Sequence, residues 1–370
     1  MAVSRINEAG LNVNQYGNRN IVINGAMQVA QRGTSSTGLG ASSGYFTIDR
    51  INPNFSGTSA GRLTMTQETI TDLAGFTKCL KLDCTTADTS ISAGEYIILT
   101  MQAIEGQNLQ HIAKGTSSAK KLTLSFYVKG NAAATYVCEL RDSNSRKISK
   151  SFSVTTDWTR VVMTFDADTD SGGTIVNSNA KGLDVMFWLH AGSTYNSGSA
   201  GDLNTSWGSP SNNTRAAGIS SFFDSTNRTF FVTGMQLEVG DTATDFEHRS
   251  FGDEFARCQR YFFQETGTST DASGRLGVAS GAGTVVYDHT LPVQMRAKPS
   301  VALTSTSLRI GDTVAAGFTT TSGTIAISTY SGSASGTYTL GGFSGLTSYR
   351  TYLHEPDSSN PGIVKFDAEL

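Results

Sequence analysis

The chain has 370 residues and a net charge of -3, from 28 Lys and Arg against 31 Asp and Glu. That balance implies no basic face able to displace counterions from a nucleic-acid backbone. Charged residues make up only 16%, while Ser, Thr and Gly number 44, 47 and 39. This is the composition of an all-β protein with uncharged polar faces and many tight turns, and it argues against helical bundles, coiled coils and doubly wound α/β folds.

Residues 1–19 are polar and Asn-rich, without periodicity, and read as an N-terminal attachment arm. They contain no apolar h-region, so they are not read as a secretory signal. No apolar run is long enough to span a membrane. Residues 20–29, NIVINGAMQV, predict a strand, a Gly turn and a second short strand. Residues 33–44 read as a Gly/Ser loop. Its Gly38, Gly40 and Gly44 lack the following Lys-Ser/Thr that a phosphate loop requires. Segments 61–68, 78–84 and 95–104 predict strands.

Alternation then becomes regular. Leu122, Leu124, Phe126 and Val128 share one face of 121–129. Tyr136, Cys138 and Leu140 do so in 134–141, and Val161, Met163 and Phe165 in 159–166. Leu183, Val185, Phe187 and Leu189 do so in 182–190, and 228–239 is the last of the set. Strands of this number and spacing, without intervening helices, predict a jelly-roll β-sandwich. Residues 250–263 hold the only helix candidate, with Asp253 and Glu254 in its first turn, where the helix dipole favours them. A second β-rich region follows, with strands expected at 274–279, 283–291, 299–305, 323–329, 347–354 and 361–368. The expected division is an arm at 1–19, a jelly-roll domain at 20–249, a short helical linker at 250–264 and a smaller C-terminal β-sandwich domain at 265–370. Cys79, Cys84, Cys138 and Cys258 form no CxxC pair and read as free, buried thiols of a protein made in a reducing cytosol.

Three stretches together carry a family likeness. The first is Asn20-Ile21-Val22-Ile23-Asn24-Gly25-Ala26-Met27-Gln28, followed by Gln31-Arg32-Gly33 and Tyr45-Phe46-Thr47-Ile48-Asp49-Arg50. The second is Leu122 to Lys129 with the Trp158 strand. The third is Gly234-Met235-Gln236-Leu237-Glu238-Val239-Gly240, then Ala243-Thr244-Asp245-Phe246-Glu247 and Cys258-Gln259-Arg260-Tyr261. This order resembles the tail-fibre and receptor-binding appendage proteins of tailed bacteriophages, in particular those with a jelly roll similar to carbohydrate-binding modules. It covers about 20–265. Pro292 to Pro299 is similar to the start of that family's variable C-terminal domain. The long tail-anchoring region and fibrous shaft of many such fibres are not evident. The resemblance implies a homotrimer located on the virion and made in the host cytoplasm. It also implies contact with other tail proteins through residues 1–19, a host surface glycan as ligand, and no nucleic-acid or membrane partner.

Candidate chemistry is sparse. None of His111, His190, His248, His289 and His354 has a second ligand at metal-binding spacing. Asp166, Asp168, Asp170 and Gly172 resemble the opening of a calcium loop, but Ser171 and Asn177 stand where Gly and Glu belong; the acidic turn between two strands is the plainer reading. The segment 190–214 reads as a loop of more than twenty residues, long enough to suggest function. Its aromatics are Tyr195 and Trp207, and Trp188 lies on the preceding strand, opposite Phe187 and Leu189. These three are the candidate carbohydrate-binding residues, a flat apolar platform for sugar C–H faces with Asn, Ser and Asp nearby. The competing reading is that they pin the loop. Trp158 reads as a core residue where a strand begins. The expected function is a non-enzymatic virion protein, without cofactor or catalytic residue, that recognises the host surface. The alternatives are a capsid decoration or tail-adaptor protein with no ligand, and a glycan-cleaving tailspike enzyme.

Overall fold

The computed structural model describes residues 18–57, 60–265, 275–312, 317–329 and 331–370. Most of the arm expected at 1–19, residues 1–17, lies outside the described residues. The chain forms two compact units, the first ending at Glu254 and the second spanning Phe255–Glu369.

The first unit is built from β1 (Ser35–Leu39), β2 (Asn52–Ser56), β3 (Arg62–Thr69), β4 (Lys78–Thr86), β5 (Tyr96–Glu105), β6 (Leu122–Gly130), β7 (Ala134–Asp142), β8 (Lys147–Val154), β9 (Thr159–Phe165), β10 (Lys181–Ala191) and β11 (Thr229–Val239). One antiparallel sheet has six strands in the order β1-β3-β4-β11-β6-β9; the other has five, β2-β5-β10-β7-β8. Sequence neighbours are thus split between sheets, the crossed connection of a jelly roll. The period of two does what it predicts. Leu124, Phe126 and Val128 are fully buried between the sheets with Leu99, Leu140, Phe187 and Leu189. Thr123, Ser125, Tyr127 and Lys129 turn to the opposite face. All four cysteines are buried and free.

Two local expectations change, and one strand appears where none was expected. Residues 33–44 are not all loop: β1 forms within them and pairs with β3, with a register shift between Ser36 and Leu39 where Gly38 takes φ +73°. An edge bulge of this kind suits glycine. β2 carries Pro53, which an edge strand tolerates because its missing N–H faces no partner strand.

The second change concerns residues 20–29, which form no strand. They make a strap held to β11 by the Asn20 side chain and by two backbone bonds, Ile21 N to Leu237 O and Met235 N to Gly25 O. Asn20 donates from Nδ2 to Met235 O at 3.0 Å, and its Oδ1 accepts from Val22 N and Leu237 N. Asn24 donates to Val29 O and Asp49 O and accepts from Val29 N. Gly25 sits so close to β11 that a Cβ there would lie 2.1 Å from Met235 O. β11 itself bulges beside the strap: its register against β6 shifts between Thr233 and Gln236, where Gly234 has φ +63°.

The second unit is also a β-sandwich. Its strands are β12 (Phe262–Gln264), β13 (Leu276–Gly281), β14 (Thr284–Thr290), β15 (Ser300–Leu303), β16 (Leu308–Asp312), β17 (Gly317–Thr320), β18 (Thr324–Ile327), β19 (Ser335–Gly341), β20 (Thr351–His354) and β21 (Val364–Asp367). A seven-stranded sheet, β17-β16-β20-β13-β14-β19-β18, faces a three-stranded one, β12-β21-β15. Tyr287, Tyr338, Tyr352, Val364 and Phe366 fill the space between. The helix expected at 250–263 is Phe251–Gln259 and yields to β12.

One buried carboxylate stands out in the second core. Glu265 ion-pairs with Arg275, accepts from Tyr338 Oη at 3.3 Å, and lies 4.0 Å from His354 Nδ1. Burial raises its pKa to about 7 against the pull of Arg275 and Tyr338, while burial pushes His354 down to about 4.

Two measurements follow from this packing. Gly25→Ala should lower the unfolding free energy of the first unit by about 1–3 kcal/mol in denaturant titration, the usual cost of forcing extra volume into a packed site. For Glu265 the folded pKa lies above the unfolded one, so folding takes up a proton between pH 7 and 4.5 and its contribution grows as pH falls. His354 and His289, both depressed by burial, act in the opposite sense, losing stability as pH falls through 6.5. The stability difference between wild type and Glu265→Gln isolates the carboxylate, and it should move in favour of wild type between pH 8 and pH 5. A difference independent of pH would show that Glu265 stays ionised.

Candidate functional site

The long loop after β10 is ordered by a four-residue helix, Ser193–Asn196, and short 3-10 turns at Ala200–Asp202 and Asn212–Thr214. It lies on the outer face of the five-stranded sheet. Ser149 N donates to Asn204 O, Lys147 and Gly208 exchange backbone bonds, and Ser220 N donates to Thr135 O. The structure brings Trp188 and Tyr195 together, ring centroids 5.3 Å apart, with Tyr96 against both. Trp188 is fully buried in a small core with Ile98, Val137, Met186 and Ala216. The Arg215 guanidinium caps its ring at 4.7 Å while binding Glu139 through two hydrogen bonds. Trp188 therefore offers no face to a ligand, and its expected place in a sugar platform is corrected: the loop covers the side of the sheet it points from. Trp207 stands apart from this pair. Its Nε1 donates to Asp166 O at 2.8 Å, and the Lys114 ammonium sits 4.0 Å over its ring.

That ammonium explains the acidic turn. Lys114 Nζ donates to Asp142, to Asp168 Oδ2 at 2.7 Å and to Gly173 O at 3.3 Å, and both carboxylates are buried. Arg146 adds two bonds to Asp168 and an ion pair to Asp170. Burial alone would raise Asp168, but the bonds from Arg146 and Lys114 outweigh it and hold its pKa below the usual carboxylate range. A protein cation thus stands among the oxygens that a metal would need. Among the described residues, no group of three or more His, Cys, Asp or Glu is placed to hold a metal ion.

His190 is equally inward. His190 Nδ1 lies 2.8 Å from Ser221 Oγ, a nucleophile-and-base pairing in form. Yet His190 is fully buried, burial depresses its pKa to about 4, and Ser221 Oγ also accepts from Phe223 N.

An open concavity of the first unit lies elsewhere. A cleft of about 240 Å³ is bounded by the strap (Asn24, Gln28), the turn before β4 (Thr77) and the stretch after β11 (Phe246, His248, Phe251). Phe251 is 61% exposed. Phe246 and His248 meet edge to face at 4.8 Å, and both pack on Phe76. The charges at the cleft are already spent. Arg249 pairs with Glu254 and Glu247 and donates to Val22 O and to Asn20 O, while Glu254 Oε1 accepts from Asn24 N at 2.6 Å. What remains at the rim is apolar ring edge together with the Gln28 amide oxygen, the Thr77 O–H and the His248 imidazole; Gln28 Nε2 already donates to Ala26 O and to Thr77 Oγ1. These groups suit a compact ligand with C–H faces and hydroxyls.

The same rings continue across the six-stranded sheet. Phe76 contacts Tyr127 at 5.3 Å, and Gly234 leaves the space for both, since a Cβ there would approach each ring within 3.0 Å. Farther along lie Phe231 and Trp158, 6.3 Å apart. Trp158 is half-buried on this outer face rather than in the core. Its Nε1 donates to Asp72, whose pKa is held low by hydrogen bonds from Lys129 and Trp158. The available signal was an aromatic at an outward position of an alternating strand: Tyr127 opposite Phe126, and Phe231 opposite Phe230.

No family model matches the chain, and no curated protein matches it in sequence. Among solved structures, the enzymatically active domain of tailspike protein 4 of bacteriophage CBA120 is similar at 12% identity and TM-score 0.30; the match covers 60% of this chain and 21% of that one. This chain therefore spans about a fifth of that tailspike's length. A family 11 carbohydrate-binding module of Clostridium thermocellum, in complex with a β-1,3-1,4-mixed-linked tetrasaccharide, is similar at 10% identity and TM-score 0.26, covering 54% and 91%. The N-terminal cellulose-binding domain of Cellulomonas fimi β-1,4-glucanase C is similar at 15% and 0.26, covering 46% and 88%.

Lys114→Met would strand the buried Asp142 without a cation and leave Asp168 to Arg146 alone. It should lower stability by about 3–5 kcal/mol, read by denaturant titration, while a chelator leaves the wild-type melting temperature unchanged. A melting temperature that falls on chelation would mean that a metal, not Lys114, neutralises Asp142 and Asp168.

Proposed function

We propose that this chain is a non-enzymatic virion protein, a tail fibre or related appendage of a tailed bacteriophage, that recognises a glycan on the host surface. The observation that carries the glycan reading is the cleft at Phe246, His248 and Phe251, where open ring edges meet uncharged hydrogen-bonding groups. Sugars need that pairing: C–H faces on aromatic carbon, hydroxyls on amide, hydroxyl and imidazole. The virion assignment is supported by the sequence resemblance over residues 20–265. Several residues that carry the resemblance are fold clamps: Asn20, Asn24 and Gly25 fasten the strap, Asp49 accepts from Gln31 N and Nε2, and Arg50 donates to Ala103 O. Tyr195 and Trp207 act, in this reading, as anchors of the loop over the five-stranded sheet. Homotrimerisation and attachment to other tail proteins through residues 1–19 belong to the same proposal.

The test is binding to an array of bacterial surface polysaccharides, followed by attachment to cells that carry the bound glycan. Phe251→Ala and Gln28→Ala should each weaken binding by about ten-fold, a loss of about 1.4 kcal/mol, without shifting the melting temperature. Wild-type protein that binds no glycan but still assembles onto virions would leave a tail-adaptor role and defeat the recognition reading.

A further inference from the structure

The outer face of the six-stranded sheet carries a row of four side chains at one level. In register, Phe231 on β11 lies between Lys81 on β4 and Lys129 on β6. Trp158, where β9 begins, follows next. The Lys129 ammonium sits 4.9 Å from the Trp158 ring centre and 5.1 Å from that of Phe231, and the Lys81 ammonium 5.6 Å from Phe231. All four are half-buried. At the spacing of neighbouring strands the row is about 14 Å long, more than one sugar ring.

Its charges are paired within the row. Lys129 pairs with Asp72, which also takes the Trp158 N–H, and Lys81 pairs with Asp83 at 3.2 Å. Each ammonium keeps further donors and each carboxylate further lone pairs. Together they offer donors and acceptors side by side between two aromatic faces, with no net charge. Such an arrangement matches adjacent hydroxyls on an uncharged ring. An anionic polymer would have to displace Asp72 and Asp83 to gain a cation.

The row is not isolated from the cleft. Tyr127 stands on β6 two residues before Lys129, and the ring contacts from Tyr127 through Phe76 and Phe246 end at His248 in the cleft. We propose that the row Lys81, Phe231, Lys129 and Trp158 is an extended subsite for a neutral polysaccharide, binding sugar units beyond the one seated in the cleft. This rests on the glycan reading above and adds the ligand's length and charge to it.

The experiment measures affinity for neutral and acidic bacterial polysaccharides, and for fragments of increasing length of whichever binds. Wild type should prefer neutral polymers, gain affinity with fragment length, and lose less than two-fold between 50 and 500 mM salt. Trp158→Ala should cost about ten-fold on long fragments and little on a monosaccharide. Asp72→Asn, which releases Lys129 and the indole while keeping the ring, should reproduce part of that loss if Trp158→Ala proves unstable. A preference for acidic polymers, steep salt dependence, or long-fragment affinity unchanged in both variants overturns the subsite. If those results appear while Phe251→Ala still weakens binding, only the subsite fails. If wild type binds no glycan, both readings fail together.

Discussion

The first unit depends on one buried arginine. Arg249 is 8% exposed, paired with Glu247 and Glu254, and bonded to the carbonyl oxygens of Asn20 and Val22. Those carbonyls belong to a strap that has no ladder of its own. Backbone groups buried without partners cost more than most side-chain contacts return, so the strap needs its asparagines on one side and this guanidinium on the other. Glu247 closes the circuit by accepting from Asn20 N, as Glu254 does from Asn24 N. A guanidinium supplies five donors in a fixed fork, and no other side chain could serve two carbonyls and two carboxylates at once. The strap and the segment after β11 are two of the three walls of the cleft, so the clamp that completes the fold also shapes the site.

The sandwich has four sheet faces, and only some can meet a ligand. The two inner faces are core. The outer face of the five-stranded sheet is covered by the loop after β10, under which Trp188, Ile98, Val137 and Met186 form a second small core. On the six-stranded sheet the outer aromatics stay half-open: Tyr127, Phe231 and Trp158 line a surface backed by Ile70, Phe76 and Cys79. Half-exposed aromatic carbon beside paired charges gains little from a purely structural role, since the rings keep part of their surface in water. That asymmetry between the two outer faces, more than any single residue, directs attention to the cleft side of the sandwich.

Much of the architecture could be read from the chain because alternation is a direct imprint of burial: Leu122 to Val128 and Leu183 to Leu189 name their inner faces unaided. The misses have local causes. β2 was hidden by Pro53 and two asparagines, tolerable only at an edge that the sequence does not reveal. β8, KISKSFSV, has the right period, but its polar residues obscure it. The strap reads as strands because Ile21, Val22 and Ile23 have strand propensity, yet the hydrogen bonds that decide its shape come from its own asparagine side chains and from Glu247, Arg249 and Glu254, more than two hundred positions away. The site was harder still. Trp188 was correctly placed opposite Phe187 and Leu189, but whether an outer face meets water depends on a loop whose path no periodicity encodes. Phe231 and Trp158 belong to one row only because β6 pairs with both β11 and β9, and that pairing follows from the crossed topology rather than from any spacing along the chain.

The acidic turn shows the same logic in electrostatic form. Asp168 and Asp170, one residue apart in a Gly-rich turn, look from the sequence like the start of a cation site, and the chemistry of that reading is sound. Buried carboxylates do require a cation. What the spacing cannot say is which cation. Here it is Lys114, from the turn after the 3-10 helix Gly106–Ile112, reaching Asp142 at the end of β7 and Asp168 in the turn after β9. A lysine covalently tied to the fold carries its charge wherever the chain goes, and it fixes three connections at one point. A metal would have made that junction depend on the surrounding solution. Trp207 packed over the ammonium shields the junction from exchange with water.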